Sequence, residues 1–363
     1  MRLLLTSPMG DPLDSRTWSS APSNVARALA AKGVDIVPFD SRVVGKAGKA
    51  LAAACNVARG LPVKDISRFD TIRALRSRAV AAAAEQAGVD HILCTSSIDA
   101  PAPTNIPYSI WIDDTVHLLQ QTPMSPGFTG RAAAMIDALD GAAFAAAAHV
   151  LPFSQHVADD VVDHYGVARD RVFAVGCGSG PIPPFEGVKT YADGDILFVA
   201  KHQFSDKGGD LLLEAWPEIL ARRPQTRLTL IGSKDAVERA RGIPGVTAHD
   251  FLPWDDLVAK FHGASFLTQP MLGDPWGQVY LEAMKSRTIV VSLDHRALPE
   301  LTDNGRNAFL IAKAEPTALA QAVLAAYATP QADLERMAEA GQRVVLDRHG
   351  WDSVADRILS RIG

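Results

Sequence analysis

The sequence is poor in several things, and each shortage excludes a class of protein. It has three cysteines in 363 residues, Cys55, Cys94 and Cys177. They are odd in number, far apart and never in a C-x-x-C pair, so neither a disulfide framework nor a zinc knot is indicated and a reducing compartment fits. It has no long apolar run. The most apolar stretch, 132–151, is interrupted by Asp137, Asp140 and His149, groups that a bilayer core would penalise by several kcal/mol. The first residues, Leu3 to Leu5 followed by Thr-Ser-Pro, form too short a run for a secretory h-region and are expected to be a first buried strand. There is no basic excess either. Lys and Arg total 36 against 41 Asp and Glu, a net charge of −5, and basic residues do not interleave with aromatics, so no nucleic-acid partner is expected. No G-x-G-x-x-G follows the first strand of either half, which argues against a NAD-dependent enzyme.

What is present is a composition able to bury a full core, 47% hydrophobic and 21% charged, with a length that predicts two domains. Short apolar runs alternate with Ala-rich stretches of helical type, the pattern of parallel sheets covered by helices. The series occurs twice. In the first half strands are predicted at 3–5, 35–39, 91–95, 108–112, 149–153 and 172–175, with helices near 22–32, 72–87, 130–147 and 156–165. In the second half strands are predicted at 196–200, 227–231, 246–249, 266–269, 289–293 and 308–311, with helices near 208–221, 255–262 and 278–286. The Gly/Pro cluster 176–184 reads as a linker, giving domains at 1–180 and 190–345. Trp351, Val354, Ala355, Ile358, Leu359 and Ile362 make the last segment an amphipathic helix whose docking site, on its own domain or back on the first, periodicity leaves open.

Two segments carry chemistry. After the strand ending at Gln269 comes a Gly/Pro loop, Pro270 to Trp276, and then a helix opening at Gly277-Gln278-Val279, where backbone N–H groups and the positive end of the helix dipole could cradle an anion. Glu282 lies on the face of Gln278, where its carboxylate could accept hydrogen bonds from vicinal hydroxyls. The plainer alternative is that Asp274 caps the helix and Glu282 is solvated. After the strand ending at Ala200 come Lys201 and Lys207 with Gly208-Gly209, two cations emerging above the carboxyl end of a strand, suited to a diphosphate. A separate asymmetry lies at 42–78, with nine basic residues against two acidic ones, a local charge of +7 that would attract phosphates or an anionic membrane. The alternative there is an ordinary solvated surface.

Taken together, "ILFVAKHQFSDKGGDLLLEAW", "RLTLIGS", "GVTAHDFLPWDDL" and "DPWGQVYLEAM" resemble, in order and spacing, the retaining GT-B glycosyltransferases of the large group 1 type family that includes sucrose and sucrose-phosphate synthases. The likeness is strong over 196–311, moderate over 149–180 and weak before that. It implies an α/β GT-B fold of two Rossmann-like, doubly wound domains facing a cleft, the first binding the acceptor and the second the donor. It implies a hexosyltransferase that uses a nucleotide-diphosphate sugar as donor substrate, retains configuration and needs neither metal nor cofactor. The acceptor would be a saccharide or a lipid-linked group and the enzyme cytoplasmic; the basic stretch 42–78, apart from the resemblance, suggests a peripheral contact with the inner membrane face.

By the same resemblance Lys201, where the family usually has Arg, and Lys207 bind the donor pyrophosphate, and Glu282 holds the ribose hydroxyls. Gly277, Gln278, Val279 and Trp276 line the sugar and phosphate, Gly232 adjoins the donor, and Phe251 and Leu252 meet the nucleobase. Asp274 replaces the family's usual Glu and contacts the donor sugar. Asp113 stands near the place of a family His at the reacting carbon, and Trp18, Ser19 and Ser20 fall in a loop on the acceptor side. Asp113 and Asp114 can also be read as a metal-binding carboxylate pair, which a GT-B site does not require. The departures at 274 and 113 leave two other readings: a GT-B-shaped protein that binds a nucleotide sugar without transfer, and a related epimerase or phosphorylase.

Overall fold

The structure is a computed structural model that describes residues 1–125 and 127–363. It divides into two compact units, one formed by 1–178 with 351–363 and the other by 179–350. Residues 179–189 and 346–350 therefore belong with the second unit, and the terminal helix Trp351–Ile362 belongs with the first.

The first unit holds β1 (Arg2–Ser7), β2 (Asp35–Asp40), β3 (His91–Cys94), β4 (Tyr108–Ile112) and β5 (His149–Pro152). They pair in the order β2-β1-β3-β4-β5, all parallel. β1, β3 and β4 are buried almost throughout, which is why they read as unbroken apolar runs. The predicted strand at 172–175 is not formed as a strand. Val172 makes a single bridge to Val150, and the N–H groups of Phe173 and Val175 donate to the carbonyls of Val150 and Pro152. Pro152 has no N–H to return, so the ladder is one-sided. The terminal helix uses its apolar stripe: Val354, Ala355 and Ile358 are buried, its Trp351 ring meets Trp111 edge-on at 6.4 Å, and Lys32 pairs with Asp356 at 2.6 Å.

The second unit holds β6 (Ile196–Ala200), β7 (Leu228–Gly232), β8 (Val246–His249), β9 (Phe266–Thr268), β10 (Ile289–Leu293) and β11 (Ala308–Ile311), again all parallel, in the order β8-β7-β6-β9-β10-β11. Counted within the unit that is 3-2-1-4-5-6, the Rossmann order, and the chain direction across the sheet reverses between β6 and β9. A single buried ammonium ties the helices behind this sheet. Lys189 Nζ donates to the carbonyls of Phe261, Ala264 and Ser286 and to Thr288 Oγ1, at 2.8–3.4 Å. With the Thr288 hydroxyl, which also donates to Phe261 O and Ala264 O, it satisfies carbonyls at the carboxyl ends of the helices Trp254–Gly263 and Gln278–Lys285.

Candidate active site

In an open α/β sheet a ligand sits beyond the carboxyl ends of the strands, at the point where strand order reverses. In the second unit that point is flanked by the loop after β6, which carries Lys201 and Lys207, and the loop after β9, which carries Asp274, Trp276 and Gly277. The two loops are locked together. Leu272 N–H donates to Asp206 O at 2.8 Å, and Gly208, at φ +82°, approaches the Pro270 carbonyl so closely that a Cβ there would collide with it. Beneath them lies Gln269, fully buried, its Oε1 accepting the Val199 N–H at 3.1 Å and its carbonyl accepting from Tyr280 Oη at 2.7 Å and Ser292 Oγ at 2.8 Å. These bonds fix the entry to the helix Gln278–Lys285 relative to β6.

On this base the charged groups converge. Asp274 Oδ1 accepts the N–H groups of Trp276 and Gly277 at 3.1 and 2.7 Å, and its Oδ2 lies 3.2 Å from Lys207 Nζ. Both side chains of the pair are about one-fifth exposed. The N–H groups that Asp274 holds are those of Trp276 and the N-cap residue Gly277, just before the helix. Asp274 closes a side-chain turn in the loop ahead of the helix, and a carboxylate on backbone N–H groups is the geometry that a bound anion would also use.

Glu282 is half-buried rather than solvated. Burial pushes its carboxyl up to about 7, with Lys285 and Lys207 pulling it back down. It lies against the start of the second unit, where a Cβ on Gly180 would collide with its carboxylate. Buried Lys285 Nζ donates to Gly180 O at 2.7 Å and to Ser179 Oγ at 3.0 Å, fastening that segment beside Glu282. Sequence reasoning missed Gln269, Lys285 and Gly180. Only the i, i+3 spacing of Glu282 and Lys285 hints at one of them.

The other residues singled out in this unit are placed as follows. Lys201 is the first residue beyond β6 and is exposed. Gly232 ends β7 directly opposite Ala200, where a Cβ would stand 3.0 Å from the Ala200 carbonyl. Trp276 and Val279 are buried, while Gln278 opens the helix half-buried. Phe251 and Leu252 follow β8, and the Phe251 side chain is 77% exposed, an unusual position for a large aromatic.

Asp113, Trp18, Ser19 and Ser20 lie in the first unit. Asp113 and Asp114 directly follow β4, and the turn after them is anchored by Asp160, which accepts from Thr115 Oγ1 and pairs with His117 Nδ1 at 2.5 and 2.6 Å. Asp113 is near enough to Cys177 that its charge adds to burial in raising that thiol well above the ordinary range. Trp18, Ser19 and Ser20 are three successive non-glycine residues with positive φ, 43°, 53° and 67°. Each such residue stores on the order of 1 kcal/mol, a strain that accumulates at functional loops. The Trp18 ring is stacked on Phe153 at 5.4 Å and set against Trp111 at 5.6 Å, so it is a wall of an aromatic cluster.

Two parallel, doubly wound sheets, the second with charged loops at its switch point, match the GT-B class. The sucrose-phosphate synthase of Thermosynechococcus elongatus has the same fold, with a TM-score of 0.75, 17% identity and coverage of 99% of this chain and 98% of that one. Residues 193–329 match the family "Glycosyl transferases group 1", so the second unit is a domain of that family. Among curated proteins, the phosphatidyl-myo-inositol mannosyltransferase of Mycolicibacterium smegmatis is 26% identical over 207 residues, 53% of this chain and 53% of that protein. The glycogen synthase of Mycobacterium tuberculosis is 23% identical over 257 residues, 68% of this chain and 62% of that protein. The chain thus spans about half the length of the mannosyltransferase it matches.

Proposed function

We propose that the protein is a retaining glycosyltransferase that moves a hexose from a nucleotide-diphosphate sugar to a saccharide or lipid-linked acceptor, without a metal ion. The observation that carries this reading is the meeting of Lys207, Asp274 and the N–H groups of Trp276 and Gly277 at the switch point of a group 1 domain. An anion already sits there, and a diphosphate offers the same contacts with more charge. Lys201 and Lys207 would bind the pyrophosphate and stabilise the departing nucleoside diphosphate by electrostatic preorganisation. Glu282 would accept from the ribose hydroxyls, Phe251 and Leu252 would meet the base, and Asp274, displaced from the loop N–H groups, would turn to the donor sugar.

In the reaction the bond from the anomeric carbon to the phosphate oxygen breaks and a bond from the acceptor oxygen to that carbon forms on the same face. The acceptor proton passes to the leaving diphosphate. Asp113 and the strained Trp18–Ser20 loop are assigned to the acceptor side. A mannosyltransferase of phosphatidyl-myo-inositol among the relatives supports an acceptor with a lipid anchor. The three free cysteines suit a cytoplasmic setting.

A second reading, a protein that holds a nucleotide sugar without transferring it, is favoured by Asp for Glu at 274 and Lys for Arg at 201, since Lys lacks the guanidinium fork. A screen of UDP-, GDP-, ADP- and dTDP-sugars by thermal shift and by mass-spectrometric detection of sugar release, with EDTA present, separates the two. One donor should stabilise the protein and be slowly cleaved, with both effects lost in Lys207→Ala and Glu282→Ala. Binding without cleavage, even with mixed acceptors, would favour the second reading. No binding at all would remove the phosphate site.

A further inference from the structure

The basic stretch 42–78 is not the solvated positive patch its composition implies. Arg73 and Arg76 are buried and matched to Asp140 at 2.5 Å and Asp99 at 3.8 Å, Arg59 pairs with Asp70 at 2.9 Å and Arg42 with Asp40 at 2.7 Å. Lys46, Lys49, Lys64 and Arg78 remain exposed, with no ion pair among the described residues, and Asp65 is exposed next to Lys64. Lys46 borders an unusual surface. The helix Lys46–Ala58 contains no acidic residue and docks through Ala52 and Asn56, which are buried. Its opposite face, Ala47, Ala50, Leu51, Ala54, Val57 and Ala58, is wholly exposed and wholly apolar. Leu51 is 62% exposed and Val57 67%, with Val43 at 47% and Val63 at 53% just beyond the two ends. An amphipathic helix of a soluble domain normally turns its apolar stripe inward. Here the small and polar positions face in and the larger aliphatic ones face out.

We propose that this helix is a docking surface for an anionic lipid bilayer, lying in the plane of the interface with Leu51 and Val57 among the upper acyl chains, Lys46 at headgroup level and the remaining exposed cations of 42–78 adding a longer-range attraction. The combination of apolar face and flanking cations is what interfacial helices use. A shallow Ala/Leu/Val face binds weakly by itself, so the lysines supply the second attraction that stable association needs. A second copy of the chain is a poorer occupant. The face is roughly 20 Å long at 1.5 Å per residue and about one helix wide, far below the ~800 Å² per partner of a stable interface, and its lysines would confront their own images. No helix among the described residues is long and apolar enough to cross a membrane, so this would be a contact at the surface.

The test is co-sedimentation of the full chain with phosphatidylcholine vesicles and with vesicles that also contain phosphatidylglycerol, in low and high salt. It is joined by the emission of a Leu51→Trp variant and by equilibrium sedimentation without lipid. Binding to the anionic vesicles only, weakened by salt, with a blue shift of the new tryptophan, is expected. Lys46→Ala with Lys49→Ala should weaken binding roughly 30-fold, and Leu51→Ser with Val57→Ser should abolish it, with no change in melting temperature because all four side chains are exposed. Equal partition to neutral vesicles, an unshifted emission, or sedimentation of the double serine variant like the parent would each overturn the proposal. So would a lipid-free dimer that the serine variant dissolves, which would assign the face to a second copy. Vesicle binding needs no donor, so its failure is separate from failure of the transferase reading.

Discussion

Asp274 occupies the place proposed for a phosphate, and this gives mutations on its two sides opposite signs. Asn at 274 keeps an oxygen for the N–H groups of Trp276 and Gly277, and Asn closes such side-chain turns as Asp does, so the loop should survive Asp274→Asn. The substitution removes the negative charge that competes with an incoming diphosphate for Lys207. At an effective dielectric near 20, two unit charges about 5 Å apart interact by roughly 3 kcal/mol. Because the displaced carboxylate can turn partly into solvent, about half of that is expected, or roughly tenfold tighter binding of a nucleoside diphosphate. Lys207→Ala removes the attraction instead and should weaken binding by on the order of 10- to 100-fold. Isothermal titration calorimetry with the nucleoside diphosphate of the accepted donor, lacking the sugar, reads both. If Asp274→Asn binds the diphosphate no better than the parent, or Lys207→Ala binds it equally well, the Lys207–Asp274 pair is a loop fastener and the phosphate site lies elsewhere. Turnover of the sugar donor should fall in both variants, since Asp274 is assigned to the sugar.

Glu282 titrates near 7 in the folded chain and near 4.5 when unfolded, so between those values the folded state holds the extra proton. Its contribution to stability is present at low pH and is lost as pH rises from 4.5 to 7, and Glu282→Gln should therefore be more stable than the parent above pH 7 by about 1–3 kcal/mol in urea unfolding, while binding the donor roughly tenfold more weakly. Gly208→Ala, which forces a Cβ into the Pro270 carbonyl at φ +82°, should lower the melting temperature and impair donor binding, with a cost above about 1 kcal/mol. Asp140→Ala strands the buried Arg73 guanidinium, and urea unfolding should show a loss of about 3–5 kcal/mol. Donor binding measured on Asp140→Ala below its unfolding transition should be unchanged.

The central strands of both sheets were legible because β1, β3, β4, β6, β7, β9 and β10 are buried almost throughout and must be apolar along their length, whereas β2 and β8, at sheet edges, are only partly buried. The helix Lys46–Ala58 was not, because alanine carries almost no periodic signal and its larger side chains point outward, against the pattern that periodicity seeks. The helices Pro316–Ala328 and Gln331–Arg348 escaped as well, although Pro316 and Pro330 mark their starts, because the first is rich in alanine and carries little periodic contrast. Local spacing determined much of the candidate site: a cation-bearing loop after one strand, a Gly/Pro loop with an acid before one helix, and a second acid on that helix. It could not determine that Lys207 and Asp274 meet, that the N–H groups of Trp276 and Gly277 are taken from within, or that Glu282 is shielded enough to titrate near neutrality. Those depend on residues distant in sequence that come together only when β6 and β9 pair at the centre of the sheet. The same division holds for charge. Composition alone fixed a net +7 over 42–78, but which of those cations reach solvent was decided by Asp140 and Asp99, residues outside the stretch that folding brings beneath it.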